Sequence, residues 1–164
     1  MELWDAYLPE GTLAGVDLSR GEPIPAGLYH LVVSAVIRSR VDGRFLLLRR
    51  DPGKDTHPGV FEVSCGGAVL KGETPEEGIR REVEEESGIR DGIFTPLYRE
   101  TGPHTFYHGF LCLTAVSPEE IRLQPGETTE ARWMTQEELM TFCREHPKEI
   151  FLQRGTLPYL EIVE

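Results

Sequence analysis

The chain has 164 residues and a formal net charge of −11, with a pI near 4.9. That length suits one domain with a real core, and the acidity argues against nucleic acid or an anionic membrane as partner, though not against a small phosphorylated substrate accompanied by a metal ion. No apolar run is long enough to span a bilayer, the opening MELWDAYLPEG is acidic where a signal peptide is basic and apolar, and Cys65, Cys112 and Cys143 are odd in number and widely spaced, so the expected setting is cytoplasmic, with free thiols and neither a disulfide framework nor a zinc site.

Residues 1–27 read as an N-terminal extension, a β-hairpin and linker ahead of a domain covering residues 28–164. Short strands are expected over residues 2–7 and 12–18, around the turn Pro9-Glu10-Gly11. Glu22-Pro23-Ile24-Pro25 then forms an extended linker. The segment packs over the domain or a partner subunit, or covers a substrate pocket. Residues 29–38, rich in Val, Leu and Ile, should form a central strand. Asp42-Gly43 suits a two-residue hairpin turn, with residues 45–49 as the returning strand. Arg49, Arg50 and Lys54 follow in the loop RRDPGKDTHPG, and residues 60–64 make a short strand feeding a Gly66-Gly67 turn.

The stretch GGAVLKGETPEEGIRREVEEESGI comes next. Thr74 suits an N-cap, Pro75 the first helical position, and Glu77 completes a capping box. Gly88 stands where a left-handed cap belongs, with Ile89 after it. A helix over residues 75–87 follows. On it Glu82, Glu85 and Glu86 are spaced so that their carboxylates converge, Glu84 points elsewhere, and Ile79 and Val83 give the core stripe. Such like charges weaken a bare helix. Arg80 and Arg81 are too few to offset them, and hard oxygen ligands on one face suit Mg²⁺ or Mn²⁺.

This string resembles the Nudix box, G-x5-E-x7-R-E-U-x-E-E-x-G-U with U a bulky aliphatic residue. Gly67, Glu73, Arg81, Glu82, Val83, Glu85, Glu86, Gly88 and Ile89 fill all nine fixed positions over residues 67–89. The resemblance implies an α+β Nudix fold, an α/β/α sandwich with a mixed β-sheet between helices. It implies Mg²⁺-dependent hydrolysis of a small-molecule diphosphate, a nucleoside diphosphate linked to another moiety. It implies metal ligands at Glu82 and Glu86, often with Glu85 and the carbonyl of Gly66, an Arg81 that orients a glutamate, and a Glu73 that mainly holds the loop. It also implies phosphate contact by the loop carrying Arg49, Arg50 and Lys54, whose other reading is solvated charge, and a homodimer. The opening Trp-Asp-x-Tyr, turn and Pro-rich extended stretch is loosely similar to the Nudix branch close to isopentenyl-diphosphate isomerase.

Past the box, strands are expected over residues 92–99 and 105–116. His104 and His108 flank the second, a pair that reads as structural more readily than as metal-binding. Residues 124–130 form a polar loop, residues 131–134 a short strand, and Thr135 with Glu138 a second capping box opening an amphipathic helix that ends near His146. ETTEARWMTQEEL is similar to the Nudix ending in which a loop glutamate serves as general base or extra metal ligand. Glu127 and Glu130 are the candidates, and each reads equally as a solvated charge. Glu85 is a further candidate base. Residues 158–163 form a last strand or helical turn.

Two alternatives stand beside a hydrolase. Cys65 precedes Gly66-Gly67 as a catalytic cysteine precedes Gly-His in isopentenyl-diphosphate isomerases, but the histidine position here is glycine and the box is intact. A non-catalytic nucleotide-binding sensor would commonly lack box glutamates that this chain retains. The substrate itself is not encoded in any recognisable motif, because loops outside the box read the leaving group.

Overall fold

A computed structural model describes residues 1–152. Two strands, β1 (Leu3–Tyr7) and β2 (Leu13–Ser19), form a separate antiparallel ribbon. The remaining strands form one eight-stranded mixed sheet. They are β3 (His30–Ser39), β4 (Phe45–Arg50), β5 (Phe61–Glu62), β6 (Cys65–Ala68), β7 (Ile93–Thr101), β8 (Thr105–Thr114), β9 (Thr128–Met134) and β10 (Ile150–Phe151). β3 runs parallel to β8 and antiparallel to β4 and β6, which makes the sheet mixed as expected. Helices α1 (Pro75–Ser87) and α2 (Gln136–Glu145) complete the α+β architecture.

The four-residue apolar run opening β4 shows how the layers form. A strand buried on both faces needs apolar residues at every position, since successive side chains point to opposite sides. Leu46 and Leu48 join Val33, Ala35 and Ile37 in a core closed by Ile79 and Val83 of α1. Phe45 and Leu47 join Phe61 and Val63 in a second core closed by Leu139 of α2. The sheet is therefore packed by one helix on each face.

α1 has the ends its sequence specifies. Thr74 caps it, accepting the Glu77 amide, while Glu77 accepts the Thr74 amide at 2.8 Å. Gly88 ends it in a left-handed conformation at φ 78°. α2 is capped in the same reciprocal way by Thr135 and Glu138.

Three expected details differ. The β3–β4 connection occupies residues 40–44 and is not a two-residue turn. Ser39 Oγ accepts the amides of Val41 and Asp42, and the Gly43 amide returns to the Ser39 carbonyl, so side-chain bonding widens the loop. The strand expected at residues 60–64 is reduced to Phe61–Glu62, because Ser64 turns inward. Its hydroxyl donates to the Leu46 carbonyl at 2.5 Å and accepts the Ile37 amide at 2.9 Å. Gly66-Gly67 is not a turn but lies within β6, paired with Val33 and Ser34 of β3. β3 touches β4 in register only at Arg38–Phe45, so the sheet splays there and β6 enters beneath α1. The terminal element expected at residues 158–163 lies outside the described residues.

Ile79 has no exposed surface and joins α1 to the sheet. Ile79→Ala should destabilise the protein by about 2–5 kcal/mol, read as a lower urea midpoint at unchanged m-value.

Candidate active site

The acidic face of α1 lies over β6, and two glycines make that approach possible. A Cβ on Gly66 would run into the Val33 carbonyl of β3, and one on Gly67 into the Glu82 carboxylate. The glycines are thus needed for close packing on either side of β6, not for a turn.

Arg81 organises the acids. Its Nε donates to Glu73 Oε1 at 2.7 Å and its Nη2 to Glu73 Oε2 at 3.1 Å and the Ala68 carbonyl at 3.0 Å. Its Nη1 donates to Glu82 Oε1 at 2.7 Å and reaches Glu85 Oε2 at 3.3 Å. Glu73 also accepts the Leu70 amide at 2.9 Å, so one fork ties the preceding loop to the helix. Burial opposes charge on both partners, but these bonds hold the Glu73 carboxyl below its ordinary value and the Arg81 guanidinium above its own.

Beyond Arg81 opens a polar cavity of about 460 Å³, lined by Glu82, Glu85, Glu86, Gly66, Arg50, Lys54, Gln124 and Glu127 and, from the N-terminal ribbon, by Glu2, Trp4 and Arg20. Glu86 is the least compensated acid in it. Desolvation, followed by the charges of Glu62, Glu82 and Glu127, pushes its carboxyl well above the ordinary range, with Arg50 opposing only weakly. Glu82 is raised chiefly by desolvation despite Arg81. Glu62 is also raised by burial, although Arg50 Nη1 lies 2.5 Å from it. Lys54 Nζ meets Glu127 at 2.5 Å.

These acids suit a hard divalent cation. Their charges act on one another across a desolvated space, and their donors are all oxygens. No three acidic, histidine or cysteine side chains already form a closed ligand cage among the described residues. An open set of this kind matches Mg²⁺, which keeps waters and shares substrate phosphates.

The structure brings Glu82, Glu85, Glu86, Arg81, Gly66, Glu127, Arg50 and Lys54 to this cavity. It does not bring Arg49 or Glu130. Arg49 donates to the Gly59 carbonyl and lies over the Phe61 ring, while Glu130 pairs with Arg132 and Arg49. The physical reason is strand alternation. Leu48 and Arg50 share the α1 side of β4, whereas Arg49 and its register partner Glu130 fall on the α2 side. Glu84 points away and pairs with Arg90. His108 lies within β8, while His104 precedes that strand and is 3.3 Å from the Leu28 carbonyl, so the two do not build a metal pair.

Sequence reasoning missed Glu62, Gln124 and the ribbon residues Glu2, Trp4 and Arg20. Glu62 carried a usable signal: it is an acid in the otherwise apolar run Phe61-Glu62-Val63 and is only 5% exposed. The others carried no signal as individual residues; the reading of residues 1–27 as a pocket cover named the segment, and only the chain path brings Glu2, Trp4, Arg20 and Gln124 to the cavity.

Residues 28–155 match the NUDIX domain model. An uncharacterised Nudix hydrolase of Listeria monocytogenes is 33% identical over 143 residues, covering 85% of this chain and 83% of the relative. The human NAD-capped RNA hydrolase is 33% identical over 110 residues, covering 67% of this chain and 23% of that protein. A crystal structure of a Deinococcus radiodurans protein superposes with a TM-score of 0.72 at 26% identity, over 99% of this chain and 97% of that one. Because the matched segment includes the helix, strand and loop that carry the acidic cavity, the chain belongs to the Nudix hydrolase family.

Proposed function

We propose that this hydrolase is a Mg²⁺-dependent pyrophosphohydrolase, accepting Mn²⁺, that cleaves the diphosphate linkage of a nucleoside diphosphate joined to another group. The observation that carries this reading is Glu86, a desolvated carboxylate surrounded by the charges of Glu62, Glu82 and Glu127. Such a cluster favours a cation over the empty state. The relative named for hydrolysing NAD-capped RNA supports a nucleotide-linked diphosphate.

Glu82 and Glu86, with Glu85 and the Gly66 carbonyl, would hold the ion. When bound, Mg²⁺ supplies positive charge against phosphate oxygens and activates water as a nucleophile. Arg81 keeps Glu82 aimed while Glu73 keeps Arg81 aimed. Arg50 and Lys54 face the same space and would meet the phosphates. Glu127 and Glu85 are the carboxylates available to take the proton of the attacking water. Water adds to phosphorus, the bridging P–O bond breaks, and the second phosphate leaves with the remaining moiety.

Cys65 is fully buried, and burial followed by the nearby charges of Glu86 and Glu82 pushes its thiol well above the ordinary range. It is a poor proton donor or nucleophile there, which weighs against isomerase chemistry.

A screen with Mg²⁺ over nucleoside-diphosphate-linked compounds, with a phosphomonoesterase added so that the phosphomonoester products release phosphate, should find turnover of one or a few. Glu86→Gln should lower it by roughly 10²-fold or more and leave the metal-free melting temperature unchanged or higher, because a carboxyl crowded by the charges of Glu62, Glu82 and Glu127 is made neutral; full activity in this variant would sink the assignment. Arg81→Lys keeps the charge but loses the fork, and should cost about 10–100-fold in turnover together with a lower Tm. Cys65→Ala should leave turnover essentially unchanged, whereas a parent that hydrolyses nothing but isomerises an allylic diphosphate, with that activity lost in Cys65→Ala, would restore the isomerase reading.

A further inference from the structure

The N-terminal ribbon is fastened to the acidic segment by independent contacts. The Lys71 amide donates to the Leu3 carbonyl at 2.9 Å. The Gly72 amide donates to Asp5 Oδ2 at 2.8 Å, and Lys71 Nζ meets Asp17 Oδ2 at 2.7 Å. Trp4, Ala6 and Leu18 pack against Ala68 and Leu70 beneath them. The ribbon is therefore held against the loop that leads into α1, and Trp4 and the residues flanking the ribbon, Glu2 and Arg20, reach the cavity.

Glu2 lies at that junction. Its Oε1 accepts the Trp4 indole N–H at 2.9 Å and its Oε2 accepts Arg20 Nη1 at 3.3 Å. Glu2 and Arg20 line the same cavity as the α1 acids Glu82, Glu85 and Glu86. The cavity's cations are not equally committed. Arg50, Lys54 and Arg81 are each held by carboxylates at 2.5–2.7 Å, with side chains about one-fifth exposed. Among the described residues Arg20 makes one carboxylate contact, at 3.3 Å, and its side chain is 64% exposed. An exposed pair is weak and easily exchanged, so Arg20 is the cation that an entering anion can take at least loss.

We infer that the β1–β2 ribbon forms a wall of the active site and that Arg20, aimed by Glu2, binds the anionic part of the substrate, a phosphate oxygen replacing Glu2 Oε2 as acceptor. This rests on the diphosphate reading above and adds a residue outside the segment 67–89. Trp4, sharing the Glu2 carboxylate, reports the exchange.

The test uses the full chain carrying Trp133→Phe, which leaves Trp4 as the sole tryptophan. Methylenediphosphonate, whose P–C–P bridge resists hydrolysis, is titrated with Mg²⁺ while Trp4 emission is followed. Binding should change that emission. Arg20→Ala should raise Kd about tenfold, Arg20→Lys should recover part of it, and Arg44→Ala, on the distant β3–β4 connection, should match the parent. On the substrate found by the screen, Arg20→Ala should raise KM with kcat little changed. Unchanged Kd and KM in Arg20→Ala, or no probe binding by the parent at millimolar concentration, would overturn the inference. If the parent hydrolyses its substrate and Glu86→Gln does not, while Arg20→Ala behaves as the parent, this inference alone fails. If the parent binds the probe through Arg20 but hydrolyses nothing, the hydrolase reading fails and the binding role stands.

Discussion

The structure depends on one guanidinium. Several carboxylates crowd a partly desolvated cavity, and like charges there oppose both folding and one another. Arg81 meets two of them, Glu82 and Glu85, together with Glu73 of the preceding loop and a backbone carbonyl, through a rigid planar fork. A lysine at the same place would deliver equal charge without the geometry. Through Glu73, which also accepts the Leu70 amide, the fork fixes the loop ahead of α1. Through Glu82, which lies against Gly67, it fixes the distance between helix and strand.

What Arg81 leaves unbalanced matters as much. Burial is the first cause of the upward displacement of the Glu86 carboxyl, the charges of Glu62, Glu82 and Glu127 add to it, and Arg50 opposes it without cancelling it. The scaffold tolerates this because α1 is secured elsewhere, by Ile79 and Val83 in the core and by a capping box at its start. Stability supplied by packing and capping supports a cluster whose like charges oppose one another. The fold and the site are thus coupled through the same helix, with its apolar stripe serving one and its acidic face the other.

The sheet provides the selection. β3 parts from β4 after a single register pair and takes up β6, and that splay brings the glycine pair under the helix. Alternation along β4 and β9 then sorts neighbouring charges, sending Arg50 into the cavity and Arg49 with Glu130 to the other face. The N-terminal ribbon closes a side that the segment 67–89 leaves open.

The sequence by itself determined the helix carrying the acids, both of its ends, the apolar runs of β3 and β4, and the carboxylates of α1. Those features are local: a capping box, a left-handed glycine and a 3.6-residue stripe act within a few residues of one another. It also carried a family motif long enough to identify the reaction class. Tertiary structure alone decided that Gly66 and Gly67 lie in a strand, that Glu62 backs the cavity, that Glu127 enters it while Glu130 does not, and that Glu2, Trp4 and Arg20 reach it from the far end of the chain. Each of these depends on strand register and chain path, which bring together residues distant in sequence. A one-residue change of register exchanges the two faces of a strand without altering its composition.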